Sequence, residues 1–247
     1  MQLFIEQIEH AELYDIPLSK EYRFTQNTQE LHLGDGFFRE SKKFFYPRYY
    51  IDTESKEAAL YSLLLLKNNN YVHFTARFKF AELAPRNYSI RELEIISALA
   101  HSSKSCYSDL DFLVQKEQNN QLNREQLISL ANEYFNGIEN TSSGDIPFHP
   151  EVTRTENCFT MAYGRYMQQL QMNTLFSTIP VVRERHLIAD PEQGVVIGNI
   201  IFDHALGPLN IMSTPMWERF QLQEGQIRYI EAVFPTTPYG ISSGWCR

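Results

Sequence analysis

The sequence predicts an α+β protein made of two tandem copies of one domain, each a curved antiparallel sheet wrapped on helices to form a cone. Three observations carry this: an ordered internal repeat, helical periodicity that precedes strand periodicity, and enough apolar residues to fill two cores. Tyr22-Arg23-Phe24-Thr25-Gln26-Asn27 is echoed by Val152-Thr153-Arg154-Thr155-Glu156-Asn157. Arg48 to Glu54, then apolar Ala58 to Leu66, is echoed by His186 to Glu192, then Val195 to Phe202. Ile90 to Ile96 is echoed by Ile227 to Val233. The offset is 130 at Asn27/Asn157, 138 at Asp52/Asp190 and 137 at Glu94/Glu231, so order and spacing survive with small insertions. A period this long exceeds any solenoid unit and marks a duplicated domain.

In chain order, the first copy reads as a short helix within Leu3 to Tyr14, then strands near Tyr22–Asn27, Arg48–Asp52, Ala58–Leu66, Tyr71–Ala81 and Ser89–Ser97. Ala98 to Leu122 is a linker, polar at both ends, with Tyr107, Leu110, Phe112 and Leu113 docked at its middle. Asn123 is an N-cap with Gln126 three residues on, and Leu127, Leu130, Ala131, Tyr134, Phe135 and Ile138 recur at helical spacing. Asn140 to Gly144 ends that helix. Val152–Asn157 is a strand and Met161–Met172 a second helix, with Tyr163, Tyr166, Met167 and Leu170 on one side. Val181–Ala189 and Gly194–His204 form a hairpin through Asp190-Pro191-Glu192-Gln193-Gly194, and Ile211–Leu222 and Gln226–Phe234 form another through Gln223-Glu224-Gly225. The division is therefore 1–105 for the first copy, 106–121 for the linker and 122–247 for the second copy with its tail.

Composition sets further bounds. A chain of 247 residues that is 43% hydrophobic and 13% aromatic can build a core in each half. A net charge of −8 and a pI near 5.4, with no basic run, argue against a nucleic-acid or anionic-membrane partner. Cys106, Cys158 and Cys246 lie far apart without metal-ligand spacing, and the odd count fits a reducing compartment, a free thiol or a single disulfide. Met1 to His10 carries two glutamates and no apolar run of signal-peptide length, and no stretch approaches a membrane span. The expected location is the cytoplasm, or outside the cell if a leader has been removed.

The motifs also resemble those of a known family. Arg124-Glu125-Gln126-Leu127-Ile128-Ser129-Leu130-Ala131-Asn132-Glu133-Tyr134-Phe135, then Ile146-Pro147-Phe148, Arg154-Thr155-Glu156-Asn157, the Asp190 to Val196 hairpin, Phe202-Asp203-His204 and the tail Pro238 to Trp245 are similar to an uncharacterised tandem cone-barrel family often found in fungi. The resemblance covers roughly Tyr22 to Trp245. It implies two cystatin-like, nuclear transport factor 2-like (SnoaL-like) cones packed as an internal pseudo-dimer, and hardly implies a reaction. Departures are Gln26 in place of the first motif's Glu, Cys158 where Gly is usual, and the absence of the family's leader and full first helix.

Cones of this superfamily include isomerases, dehydratases, cyclases and epoxide hydrolases, which set a few polar groups in an apolar cavity. Burial there raises a carboxylate's pKa toward operating pH. Glu231 and Glu94 are repeat-equivalent carboxylates among apolar neighbours, and the competing role is a salt bridge to Arg219 or Arg77 on the adjacent strand. His186, Asp203 and His204 are further acid/base candidates, although the hairpin register keeps His186 and His204 apart. Asn27, Asn157, Thr155 and Arg154 supply hydrogen-bonding groups from the repeated strand motif, with Asn in a turn cap as the alternative. Tyr163, Tyr166, Trp217 and Phe220 offer an aromatic lining. No triad motif, phosphate loop or metal spacing is present, so no metal or cofactor is expected. The sequence thus points to a cofactor-independent lyase or isomerase acting on a small hydrophobic, oxygenated molecule. The second copy is the active one, as it keeps the full helix and the intact Thr-Glu-Asn. The alternative is a non-catalytic binding or protein-interaction module. The chain is a monomer by virtue of its internal pseudo-dimer, or a homodimer.

Overall fold

The computed structural model describes residues 2–10, 16–84, 87–100, 122–206 and 209–245. The first half comprises α1 (Gln2–His10), β1 (Leu18–Gln26), β2 (Gln29–Glu30), α2 (Phe37–Glu40), β3 (Ser41–Asp52), β4 (Glu57–Leu66), β5 (Tyr71–Ala84) and β6 (Asn87–Leu99). The second comprises α3 (Arg124–Glu139), β7 (Phe148–Glu156), β8 (Phe159–Tyr163), α4 (Arg165–Asn173), a 3₁₀ turn (Leu175–Thr178), β9 (Val181–Asp190), β10 (Val195–Leu206), β11 (Leu209–Gln223), β12 (Gln226–Val233) and β13 (Thr237–Pro238). The sheet orders, β2-β1-β6-β5-β4-β3 and β8-β7-β12-β11-β10-β9, are the same topology twice. The sheets are mixed rather than wholly antiparallel, because β1 pairs parallel with β6 and β7 with β12. The aromatics expected to dock in the linker lie outside the described residues.

Local chemistry explains the long helix. Asn123 accepts from Gln126 N at 2.9 Å while the Gln126 side chain accepts from Asn123 N at 2.9 Å, closing a capping box. The apolar stripe Leu127, Leu130, Ala131, Tyr134, Phe135 and Ile138 is fully buried against the concave face of the second sheet. The helix lies close because β10 offers Gly198, where a Cβ would stand 2.6 Å from the Phe135 ring. The helix expected over Met161–Met172 begins later. Asn157 and Cys158 take φ of 45° and 72°, folding the chain into β8, and Gly164 at φ 83° turns it into α4.

The convex faces of the two sheets meet. Tyr50, Ala59, Tyr61 and Ile96 from the first half pack with Ile188, Val195, Ile197, Trp217 and Val233 from the second. The two-fold character of this contact is explicit at the repeated hairpins. Asp190 Oδ2 accepts from Ile51 N at 2.8 Å, and Asp52 Oδ2 accepts from Ala189 N at 3.2 Å. Ile51 and Ala189 are equivalent residues, so each half lends its turn aspartate to the other's strand. Cys158 is disulfide-bonded, and the other two cysteines lie outside the described residues. No described helix is long and apolar enough to cross a membrane.

Candidate active site

Strand alternation divides the candidate residues between two faces. Glu231 points to the convex face, where Arg48 of the first half grips it at 2.7 and 2.8 Å and Arg219 donates to it at 2.9 Å. Burial alone would raise the Glu231 carboxyl, but the two guanidinium groups override it and hold it at about 2. His186 also lies at this contact, 2.9 Å from Glu57 of the first half. Glu57 is in turn bound by Arg77 at 2.6 Å, and Arg77 reaches Glu92 and Glu94 at 2.7 and 3.2 Å. Burial pushes Glu57 up, while His186 and Arg77 more than offset it and bring it to about 2. These clusters join the halves.

The remaining candidates are dispersed. Thr155 shares a hydrogen with Tyr229 OH at 2.7 Å on the convex face. Asn157 bonds both ways to the Phe234 backbone, at 2.9 and 3.0 Å, and Asn27 accepts from the equivalent Ser97 N at 2.8 Å, so both extend the sheet beyond their turns. The expected aromatic lining is split: Trp217 is fully buried between the halves, Phe220 is in the second core, and Tyr163 and Tyr166 are 64% and 74% exposed. Asp203 is paired with Arg183 at 3.0 Å and accepts from Ser213 at 2.5 Å. Among the described residues no group of three or more His, Cys, Asp or Glu could hold a metal ion.

Two candidates do converge. Arg154 and His204 line one cavity of about 260 Å³ at the mouth of the second cone, with Glu156, Thr214, Thr178 and an apolar wall that includes Phe176, Met216 and Phe234. Arg154 is 1% exposed, ion-paired with Glu156, and stacked 4.7 Å from the Phe176 ring. His204 Nε2 is 3.0 Å from Thr214 Oγ1. Burial lowers the His204 pKa, against opposing pulls from Asp203 and Glu156, so the ring is neutral at pH 7.

Behind this wall stands Glu218, which the sequence reading missed. It is fully buried, accepts from Tyr134 OH at 3.2 Å, and has Oε1 3.7 Å from Arg154 Nε. Burial pushes its carboxyl up to about 7, with Arg154 opposing. The signal was present: in Met216-Trp217-Glu218-Arg219-Phe220-Gln221-Leu222 the inward positions are Met216, Phe220 and Leu222, and Glu218 interrupts them. Its sequence neighbour Arg219 points to the other face and pairs with Glu231.

Strand registers align the halves, so the cones can be compared position by position. Arg154, Glu156, His204, Thr214 and Glu218 correspond to Phe24, Gln26, Leu66, Val72 and Ala76. The first cone is packed with rings, with Phe4 against Phe38 and Phe78, Phe24 against Phe38, and Phe44 against Phe74. The polar cluster belongs to the second cone alone.

Fold and site together define a tandem α+β cone protein with a buried acid–base cluster in one of its cones. Residues 120–234, which span that cluster, match the family model described as Domain of unknown function (DUF8021). No curated protein matches the sequence. Among solved structures, the chain is similar to an epoxide hydrolase/cyclase-like enzyme of pyran ring formation in polyether salinomycin, at 18% identity over 49% of this chain and 98% of that one, with a TM-score of 0.41. It is also similar to a protein of unknown function with cystatin-like fold from Methylobium petroleophilum PM1 (16% identity, 52% and 86% covered, TM-score 0.42). A third is an NTF-2 like protein of unknown function from Burkholderia xenovorans LB400 (10% identity, 50% and 94% covered, TM-score 0.37).

Proposed function

We propose that the second cone is the active site of a cofactor-independent lyase or isomerase that moves a proton on a small hydrophobic molecule bearing a carbonyl or hydroxyl oxygen. The observation that carries this is the asymmetry between the cones: charged and polar groups surround a cavity in the second, whereas in the first four of the five equivalent positions are apolar and the fifth is the uncharged Gln26. A volume of about 260 Å³ suits a small ligand, below the usual range of ~300–1,000 Å³. Neutral His204, oriented by Thr214, takes a proton from carbon next to the substrate carbonyl. Arg154 supplies the positive charge that the resulting oxyanion needs. The same imidazolium then returns the proton to a departing hydroxyl, releasing water, or to another carbon, giving the isomer.

Glu218 acts through Arg154. Protonated, it leaves the guanidinium to Glu156 and the substrate; ionised, it draws that charge inward. Activity therefore falls above pH about 7.

The test uses 3-hydroxycyclohexanone as probe, following its dehydration and its exchange of α-hydrogens in deuterium oxide by NMR. His204→Ala is expected to slow both at least about a hundredfold. No acceleration by the wild-type chain, or equal rates in the variant, would overturn the reading. Binding of the probe without turnover would favour a binding module. The Cys158 disulfide supports an oxidising compartment over the cytoplasm.

A further inference from the structure

Of the fourteen large apolar side chains that stand exposed among the described residues, seven fall between residues 159 and 175. They belong to one surface, because β8 and α4 lie side by side with Gln171 Nε2 donating to Met161 O at 2.6 Å. Helix α4 is inside out. It buries Met172 and Gln168, the latter with neither amide atom hydrogen-bonded, and turns Tyr166 (74% exposed), Met167 and Leu170 outward. A surface helix normally does the reverse. Residues 157–183 also contain no Asp or Glu, although the chain has 30 of them.

We propose that this face is a self-association surface on which a second copy of the chain docks about a two-fold axis, α4 against α4. Charge selects the occupant. At −8, two copies repel each other over most of their surface, and this acid-free face is where they can approach. A lipid surface is a poorer fit: the stretch holds two cations, Arg165 and Arg183, and Arg183 is committed to Asp203. Area points the same way. A stable dimer buries about 800 Å² per partner. Tyr163 and Tyr166 at 64% and 74% exposure, with Met161, Met167, Leu170 and Leu175 at 39% to 53%, supply much of that in apolar surface. The convex sheet faces are already joined to each other within the chain, and among the described residues the 159–175 face holds half of the large apolar side chains that stay exposed.

The association has a consequence for the second cone, though it rests on no step of the proposed reaction. Leu175 belongs both to the exposed face and to the wall of the 260 Å³ cavity, so a partner seated there borders the cavity mouth. A two-fold contact would do this for both chains at once.

Sedimentation velocity of the full chain at tens of micromolar tests the proposal. The wild type is expected to be a dimer. Tyr166→Glu with Leu170→Glu, or Met167→Lys alone, is expected to leave a folded monomer by circular dichroism, with the dissociation constant raised at least about 30-fold. Tyr166→Ser serves if the charged variants do not fold. A monomeric wild type, or a dimer that survives every folded variant, would overturn the proposal. A monomer that instead co-floats with phosphatidylcholine vesicles would also overturn it and assign the face to lipid.

Discussion

Replacing Glu231 with alanine is expected to lower the stability of the fold by about 3–5 kcal/mol, the cost of taking the shared carboxylate away from two buried guanidinium groups. Arg48 and Arg219 are 8% and 1% exposed in their side chains, and Glu231 is the carboxylate that both grip. The first half provides an internal control. Glu94→Ala removes the equivalent carboxylate, but Arg77 keeps Glu57 at 2.6 Å and Glu92 at 2.7 Å, so the loss is smaller. Urea unfolding of both variants at pH 7 measures the difference. A cost below about 1 kcal/mol for Glu231→Ala, the level of an exposed pair, would show that the halves do not depend on this cluster.

Glu218→Gln is expected to act in the opposite direction and with a pH signature. The folded carboxyl titrates at about 7, against an ordinary value of 4.5. The folded chain therefore holds this proton more tightly than the unfolded chain does between those values. The burial costs nothing below pH 4.5, grows as the pH rises, and is complete above 7, where it reaches about 3 kcal/mol. Substitution by neutral glutamine removes it, so the variant gains stability at pH 8 and gains none at pH 4.5. Glu231 and Glu57 run the other way: both are held at about 2, and their contribution is present above 4.5 and lost as the pH falls toward 2. Wild-type stability should thus peak on the acid side of neutrality. A variant with unchanged stability at pH 8 would mean that Glu218 is ionised there at no cost.

The repeat made the fold legible, because a duplicated order of motifs reports topology without any long-range information. Strand positions followed from alternation, and the capping box at Asn123 and Gln126 marked the start of α3. The segment after Asn157 was harder. Tyr166, Met167 and Leu170 have the spacing of a buried helical face, yet α4 buries Gln168 and Met172 instead. Spacing identifies a face and does not say what covers it.

The site was legible only in part for a related reason. Glu231 and Glu218 are both carboxylates among apolar neighbours on adjacent strands, and period-two alternation treats them alike. Which face is cone and which is contact between halves depends on how the sheets pack, and that is a tertiary fact. Arg154 was recognised through the repeated motif, and its partner Glu156 sits in the same Thr-Glu-Asn. Glu218 lay outside every repeated motif, since its counterpart Ala76 carries no chemistry. Comparing copies for where they differ, rather than where they agree, would have found it.

The central claim is that the second cone holds a carboxyl group exchanging its proton near neutral pH. Carbon-13 NMR of the protein labelled at glutamate side-chain carboxyls, titrated from pH 3 to 9, tests it directly. The account predicts one resonance with a midpoint of about 7 that disappears in Glu218→Gln. If every glutamate resonance instead titrates at or below the ordinary carboxylate range, the second cone holds no such acid, and the control of Arg154 by Glu218, with the fall of activity above pH about 7, fails.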